Sequence, residues 1–163
     1  MQTSSLAEAL EHEHHEIDDG VAAFTASPGN RLPLTRAMGA LRRHIYLEEE
    51  FLFPLLHQAE PGLAAPVFVM LRDHAQLWAT LDSLERADDH GDAGTGLALG
   101  KRLTAQLLHH NLKEEKILYP KADELLSPEA AARLRVFLIS GELPEGWVCM
   151  MKARQAAGAP GRS

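Results

Sequence analysis

Along most of this chain apolar residues return every three or four positions, the spacing that lines one face of a helix. Ser5-Leu-Ala-Glu8 has the form of a capping box, with Ser5 as N-cap and Glu8 three residues on. The stripe Leu6, Leu10, Ile17, Val21, Phe24 then predicts a first helix over about residues 6–26. Ser27-Pro-Gly-Asn30 breaks it. A second helix, about 33–58, turns Met38, Leu41, Ile45, Leu52 and Leu55 inward. Pro54 near its end cannot donate to the carbonyl of Glu50, which predicts a kink or an early stop. A third helix over about 64–87 carries the stripe Val67, Leu71, Leu77, Leu81, Leu84. Beyond the polar loop 88–96 a fourth runs over about 97–126, with Leu103, Leu107, Ile117 and Leu118 inward and a second kink at Pro120. Ser127-Pro-Glu129 opens a short fifth helix that ends near Ser140 and lays Leu134, Phe137 and Leu138 on the others. The pattern predicts an all-α fold, an antiparallel up-down four-helix bundle with a short C-terminal fifth helix. Residues 1–145 make the domain, and 146–163 a strap around Trp147–Met151 followed by a disordered tail from about Ala156.

The stripes are interrupted at matching places. His14 lies four residues after Leu10 and three before Ile17, so it points inward, with His15 as its rival. His74 interrupts the third helix, followed at the same offsets by Leu77, Leu81 and Leu84 as His14 is by Ile17, Val21 and Phe24. The second and fourth helices share a longer motif. His44-Ile-Tyr-Leu-Glu48-Glu-Glu-Phe-Leu-Phe-Pro54 and His110-Asn-Leu-Lys-Glu114-Glu-Lys-Ile-Leu-Tyr-Pro120 both read His-x-x-x-Glu-Glu-x-apolar-Leu-aromatic-Pro. Four residues are about one helical turn, so each copy aims an imidazole and a carboxylate the same way. The chain therefore reads as two copies of one helical hairpin. Their first histidines stand 60 residues apart and their His-x-x-x-Glu motifs 66 apart. Glu49 and Glu115 fall about 100° off the inward face and are read as solvated, with the option of replacing their neighbours. His12, His57, His90 and His109 are read as surface residues. Tyr46 and Tyr119 are read as packing residues, with a hydrogen bond to the inward polar groups as the alternative.

Composition narrows the classes. Hydrophobic residues make up 45% of 163, enough for a core, and the low aromatic content of 6% with abundant Ala and Leu favours helix. The net charge of −7 has no basic stripe, which argues against nucleic acid as a partner. No apolar run is long enough to span a bilayer, and no secretory signal is visible. With one cysteine, Cys149, no internal disulfide forms, which fits a reducing, cytoplasmic location.

Six polar groups thus converge in an apolar interior: His14, His44, Glu48, His74, His110 and Glu114. Buried polar groups need compensation. They either satisfy one another or hold metal. With each glutamate bridging, the donors divide into two sets of two imidazoles and two carboxylate oxygens, which fits two cations about 3.5–4 Å apart with an oxide or hydroxide between. Mixed imidazole and carboxylate ligation suits iron, with manganese, zinc or cobalt as substitutes. No cysteine takes part, so neither an iron–sulfur cluster nor a cysteine zinc site is expected.

These two motifs, each preceded by a lone inward histidine, resemble the hemerythrin-like HHE cation-binding family over roughly residues 6–126. The resemblance implies a four-helix bundle around a non-haem di-iron centre bridged by two carboxylates. It implies small partners such as oxygen, nitric oxide or peroxide, with a homodimer as a further option. Members store, carry or sense oxygen, respond to nitric oxide or peroxide, or help repair iron–sulfur centres. In the oxygen carriers the third helix bears a second histidine one turn after the first; here that position is Trp78. The resemblance then implies a four-His, two-Glu set with both irons open to ligand. The cysteine-containing N-terminal domain of the repair proteins is absent from this sequence, which weakens that role. A di-iron, cation-binding protein that binds or senses oxygen, nitric oxide or peroxide, or handles iron under oxidative or nitrosative stress, is the first expectation. A di-iron oxidase or peroxidase-like enzyme and a metal-free helical interaction module are its rivals.

Overall fold

A computed structural model describes residues 3–158. Among these the chain is helical and has no strand. The helices are α1 (Leu6–Ala26), α2 (Leu32–Leu47), α3 (Phe53–Ala59), α4 (Ala64–Asp89), α5 (Ala93–Lys113), α6 (Tyr119–Leu125), α7 (Pro128–Ser140) and α8 (Met150–Ala157). Together they form a helical bundle in which α1 packs chiefly on α2 and α5, and α4 on α5. The capping box is formed. Ser5 Oγ accepts from the Glu8 amide at 3.1 Å, and the Glu8 carboxylate accepts from the Ser5 amide at 2.8 Å. Ser127 and Asp92 cap α7 and α5 in the same manner. The cap at Asp92 starts α5 four residues earlier than the apolar stripe alone indicates.

Of the kink or early stop expected at each proline, the stop does not occur. Before each, the chain makes a π-helical turn, Glu48–Leu52 and Glu114–Leu118. The Phe53 amide reaches back five residues to the Glu48 carbonyl, and the Tyr119 amide to the Glu114 carbonyl. The wide turn accommodates the missing proline donor, and the helix continues. It also contains one residue more than an α turn, so everything after it is rotated. Leu55 is only half-buried and Ile117 is 47% exposed, although an unbroken helix would bury both. Phe53, Leu56, Tyr119 and Ala122 take the interior instead.

Close approach of α1 and α2 depends on Gly20. A methyl group there would stand 2.9 Å from both the Ala37 Cβ and the Pro33 carbonyl oxygen. After α7 the chain crosses back as a strap that buries Cys149 and packs Trp147 against Trp78 at 5.5 Å between ring centres. The expected tail is helical through Ala157, and residues 159–163 lie outside the described residues.

The apolar interior falls into two clusters. One gathers Ile17, Phe24, Leu41, Leu77, Leu81 and Leu107, and the other Leu10, Leu47, Leu52, Met70, Leu118 and Leu134. On each of the four long rods the switch from one cluster to the other falls at a polar residue: His14, His44 to Glu48, His74, and His110 to Glu114. The polar groups therefore form a layer with hydrocarbon on both sides.

Candidate metal centre

All six predicted residues meet in that layer, none more than 3% exposed. His14 is the inward member of its pair and His15 is exposed. Glu48 Oε1 lies 3.4 Å from His44 Nε2 and 3.3 Å from His74 Nε2. Glu114 Oε1 lies 2.9 Å from His110 Nε2 and 3.3 Å from His14 Nε2. Each glutamate thus stands between an imidazole of the first hairpin and one of the second. Glu48, His74, His110 and Glu114 could hold one cation, and His14, His44 and Glu114 another.

Four further carboxylates fix the imidazoles from behind. His44 Nδ1–H donates to Glu13 at 2.9 Å, His74 Nδ1–H to Glu49 at 2.7 Å, His110 Nδ1–H to Asp73 at 3.2 Å, and His14 Nδ1–H to Glu115 at 3.3 Å. A proton held on Nδ1 leaves the Nε2 lone pair facing the centre, the tautomer a metal requires. The arrangement obeys the internal repeat. The acid preceding the lone histidine, Glu13 or Asp73, holds the motif histidine of its own hairpin; the acid following the motif glutamate, Glu49 or Glu115, holds a lone histidine. The order crosses over in the second case, since Glu49 holds His74 and Glu115 holds His14.

Glu49 corrects the sequence reading: it is 4% exposed, not solvated. The π turn is the reason, because it brings two successive carboxylates to the interior side. Glu13 and Asp73 were not singled out at all. The signal available was an acid directly before each lone histidine, in both repeats.

Tyr119, expected to pack or to hydrogen-bond the inward polar groups, does both. Fully buried, its hydroxyl lies 2.8 Å from His14 Nε2, 2.9 Å from His44 Nε2, 3.0 Å from Glu48 Oε2 and 3.4 Å from Glu114 Oε1. Its counterpart in the first motif, Phe53, stacks on His74 at 5.7 Å and 17°.

Charge in the layer is unbalanced. Six carboxylates touch four imidazoles, and the fixed cations against them are Arg43, 2.8 Å from Glu13, and Lys113, 2.6 Å from Asp73. The negative excess shows in the titration of the histidines. Burial opposes a charge on His74, but Glu48 and Glu49 overcome it and push its pKa up to about 10. Burial likewise opposes charge on His14, His44 and His110, and their carboxylate neighbours still raise all three. Burial would raise Glu114, yet His110, Glu48 and His14 hold it well below the usual carboxylate range. Burial, then the charges of Glu114 and Glu48, push the Tyr119 phenol well above its ordinary value.

The donor set fits a cation better than it fits itself. Glu48 Oε1, His74 Nε2 and Glu114 Oε2 are buried and make no hydrogen bond. His14 Nε2 and His44 Nε2 face each other at 3.1 Å, and the Nδ1 of each ring turns to a carboxylate on the far side. Two lone pairs at that separation repel, so a proton or a cation belongs between them.

A buried layer of four imidazoles and two carboxylates between apolar clusters defines a cation-binding helical bundle. The hemerythrin HHE cation binding domain matches the chain over residues 5–122, and the chain belongs to that family. No curated protein and no solved structure gives a significant match.

Proposed function

We propose that this protein holds two iron ions, one on His74 and His110 and one on His14 and His44, with Glu48 and Glu114 bridging. The rods carrying them are read as an antiparallel four-helix bundle with α7 as the added fifth helix, as their short connections favour. The observation that carries the two-metal reading is the placement of each glutamate against one imidazole from either hairpin.

When bound, such an iron pair supplies electrons and vacant coordination positions for a small ligand. The chain does the rest. Glu13, Glu49, Asp73 and Glu115 fix ring orientation and raise imidazole basicity. The two apolar clusters exclude bulk water. The near-complete burial of the six residues suits a ligand the size of oxygen, nitric oxide or peroxide and disfavours a bulky substrate.

Metal analysis of protein purified without chelator, together with stopped-flow spectra of the ferrous form against oxygen, tests the reading. Two irons per chain and a one-way passage to the ferric form are expected. A spectrum that returns to the ferrous one when oxygen is removed overturns the ligand-handling role in favour of reversible carriage. A metal-free chain that will not take up iron overturns the centre itself.

A further inference from the structure

The two halves of the layer are not equally equipped. One offers four protein donors, Glu48, His74, His110 and Glu114, while the other brings His14, His44 and Glu114 together. We propose that Tyr119 adds a phenolate ligand to the ion on His14 and His44, beyond the two bridging glutamates that both ions share. The proposal rests on the two-metal reading above.

The geometry is that of a coordination face. Donors about 2.1 Å from one octahedral ion lie about 3.0 Å from one another. The Tyr119 hydroxyl, His14 Nε2 and His44 Nε2 are separated by 2.8, 2.9 and 3.1 Å. Glu48 Oε2 lies 3.0 Å from the same hydroxyl.

Hydrogen bonding alone does not account for this cluster. A phenol has one proton to give, and the Tyr119 oxygen faces two imidazole nitrogens and two carboxylate oxygens within 3.4 Å. Both imidazoles turn Nδ1 to a carboxylate, Glu115 or Glu13, so each ring has at most one further proton, on Nε2, to bring to the group. Even with both rings charged, three protons at most face five short contacts among these atoms. A cation within the group turns the contacts left without a proton from repulsive to attractive.

Ligation breaks the phenol O–H bond, sends the proton to solvent, and directs an oxygen lone pair to the metal; no oxidation state changes. The internal repeat shows what is gained. Phe53, at the equivalent position, offers no donor to the His74 side. The two ions are therefore inequivalent. The tyrosine fills a position on one, and the incoming small ligand is left to the other, in place of the two open irons that the four-histidine set implies.

Resonance Raman and visible absorption of protein loaded with ferric iron test this. The wild type is expected to show a phenolate-to-iron charge-transfer band with enhanced tyrosinate ring modes. Both should be lost in Tyr119→Phe and kept in Tyr46→Phe, the chain having two tyrosines in all. Iron loaded at two per chain without those modes overturns the tyrosine assignment and leaves the centre standing. Uptake short of two iron ions by the wild type overturns the two-metal reading, and this assignment with it. Should Tyr119→Phe fail to fold or hold iron, ring-deuterated tyrosine in the Tyr46→Phe chain decides. The modes shift if Tyr119 ligates, and unshifted modes overturn it.

Discussion

At the residue scale, the carboxylates behind the imidazoles set how firmly a cation is held. Losing such a partner costs about 10–100-fold in metal affinity. Glu49→Gln keeps the shape and removes the charge that holds His74 Nδ1–H at 2.7 Å. Competition against a chelator is expected to show a loss in that range, and unchanged affinity would remove Glu49 from the centre. The histidines also give a pH dependence with a definite sign. In the metal-free protein His74 titrates at about 10 against an ordinary 6.5. A raised value means its stabilising charge is fully present below about 6.5 and lost as pH rises through about 10. A metal must displace that proton, so its apparent affinity is expected to climb with pH across the same window and then flatten. Affinity that falls with rising pH over that range, measured with a redox-inert divalent ion, contradicts the exchange. The six central residues were legible because their spacing matches the helical turn. Glu13 and Asp73 were not, since an acid beside a histidine on a helix looks like solvated surface until the facing rod is in place.

Among the elements, the π turns explain what periodicity missed. A single period of 3.6 residues assigned Leu55 and Ile117 to the interior, and one additional residue per turn exchanged them for Phe53 and Tyr119. The shared aromatic-Pro ending marks the place in the sequence, but a proline by itself does not announce a change of face. Elsewhere on α1 and α4 no such turn intervenes, and the expected boundaries agree with the structure to within two residues. The tightest contact between elements is open to test. Gly20→Ala forces a methyl group into the 2.9 Å gap above Ala37 and Pro33 and is expected to destabilise by about 1–3 kcal/mol, measured by urea denaturation. The strap offers another. Cys149 is fully buried, and burial pushes its thiol up to about 11, so a thiol reagent should leave the native protein unmodified and react once it is unfolded. Fast labelling under native conditions would mean that the strap lifts.

For the whole molecule, the unpaired groups of the central layer make metal part of the stability. At free metal a hundredfold above Kd, binding contributes about 2.7 kcal/mol, on the order of 5–10 °C in Tm for a chain of this size. Chelation followed by calorimetry is expected to show that drop, and an unchanged midpoint would mean the layer satisfies itself. The overall helical organisation was readable from apolar stripes and turn residues. The docking of the last segment was less so, because Trp147 to Met151 show only that something apolar is there.

That last segment reaches the interior through one side chain. Glu49 gives one carboxylate oxygen to His74 and the other to the backbone amide of Met150 at 2.7 Å, while Glu50 receives the Trp147 indole N–H at 2.9 Å. Met150 lies well past residue 122, where the family match stops. A chain cut after Ser140 would keep every predicted ligand and still leave the grip on His74 slack from behind. The boundary of the recognisable domain and the boundary of the contacts that steady its central histidine are two different places.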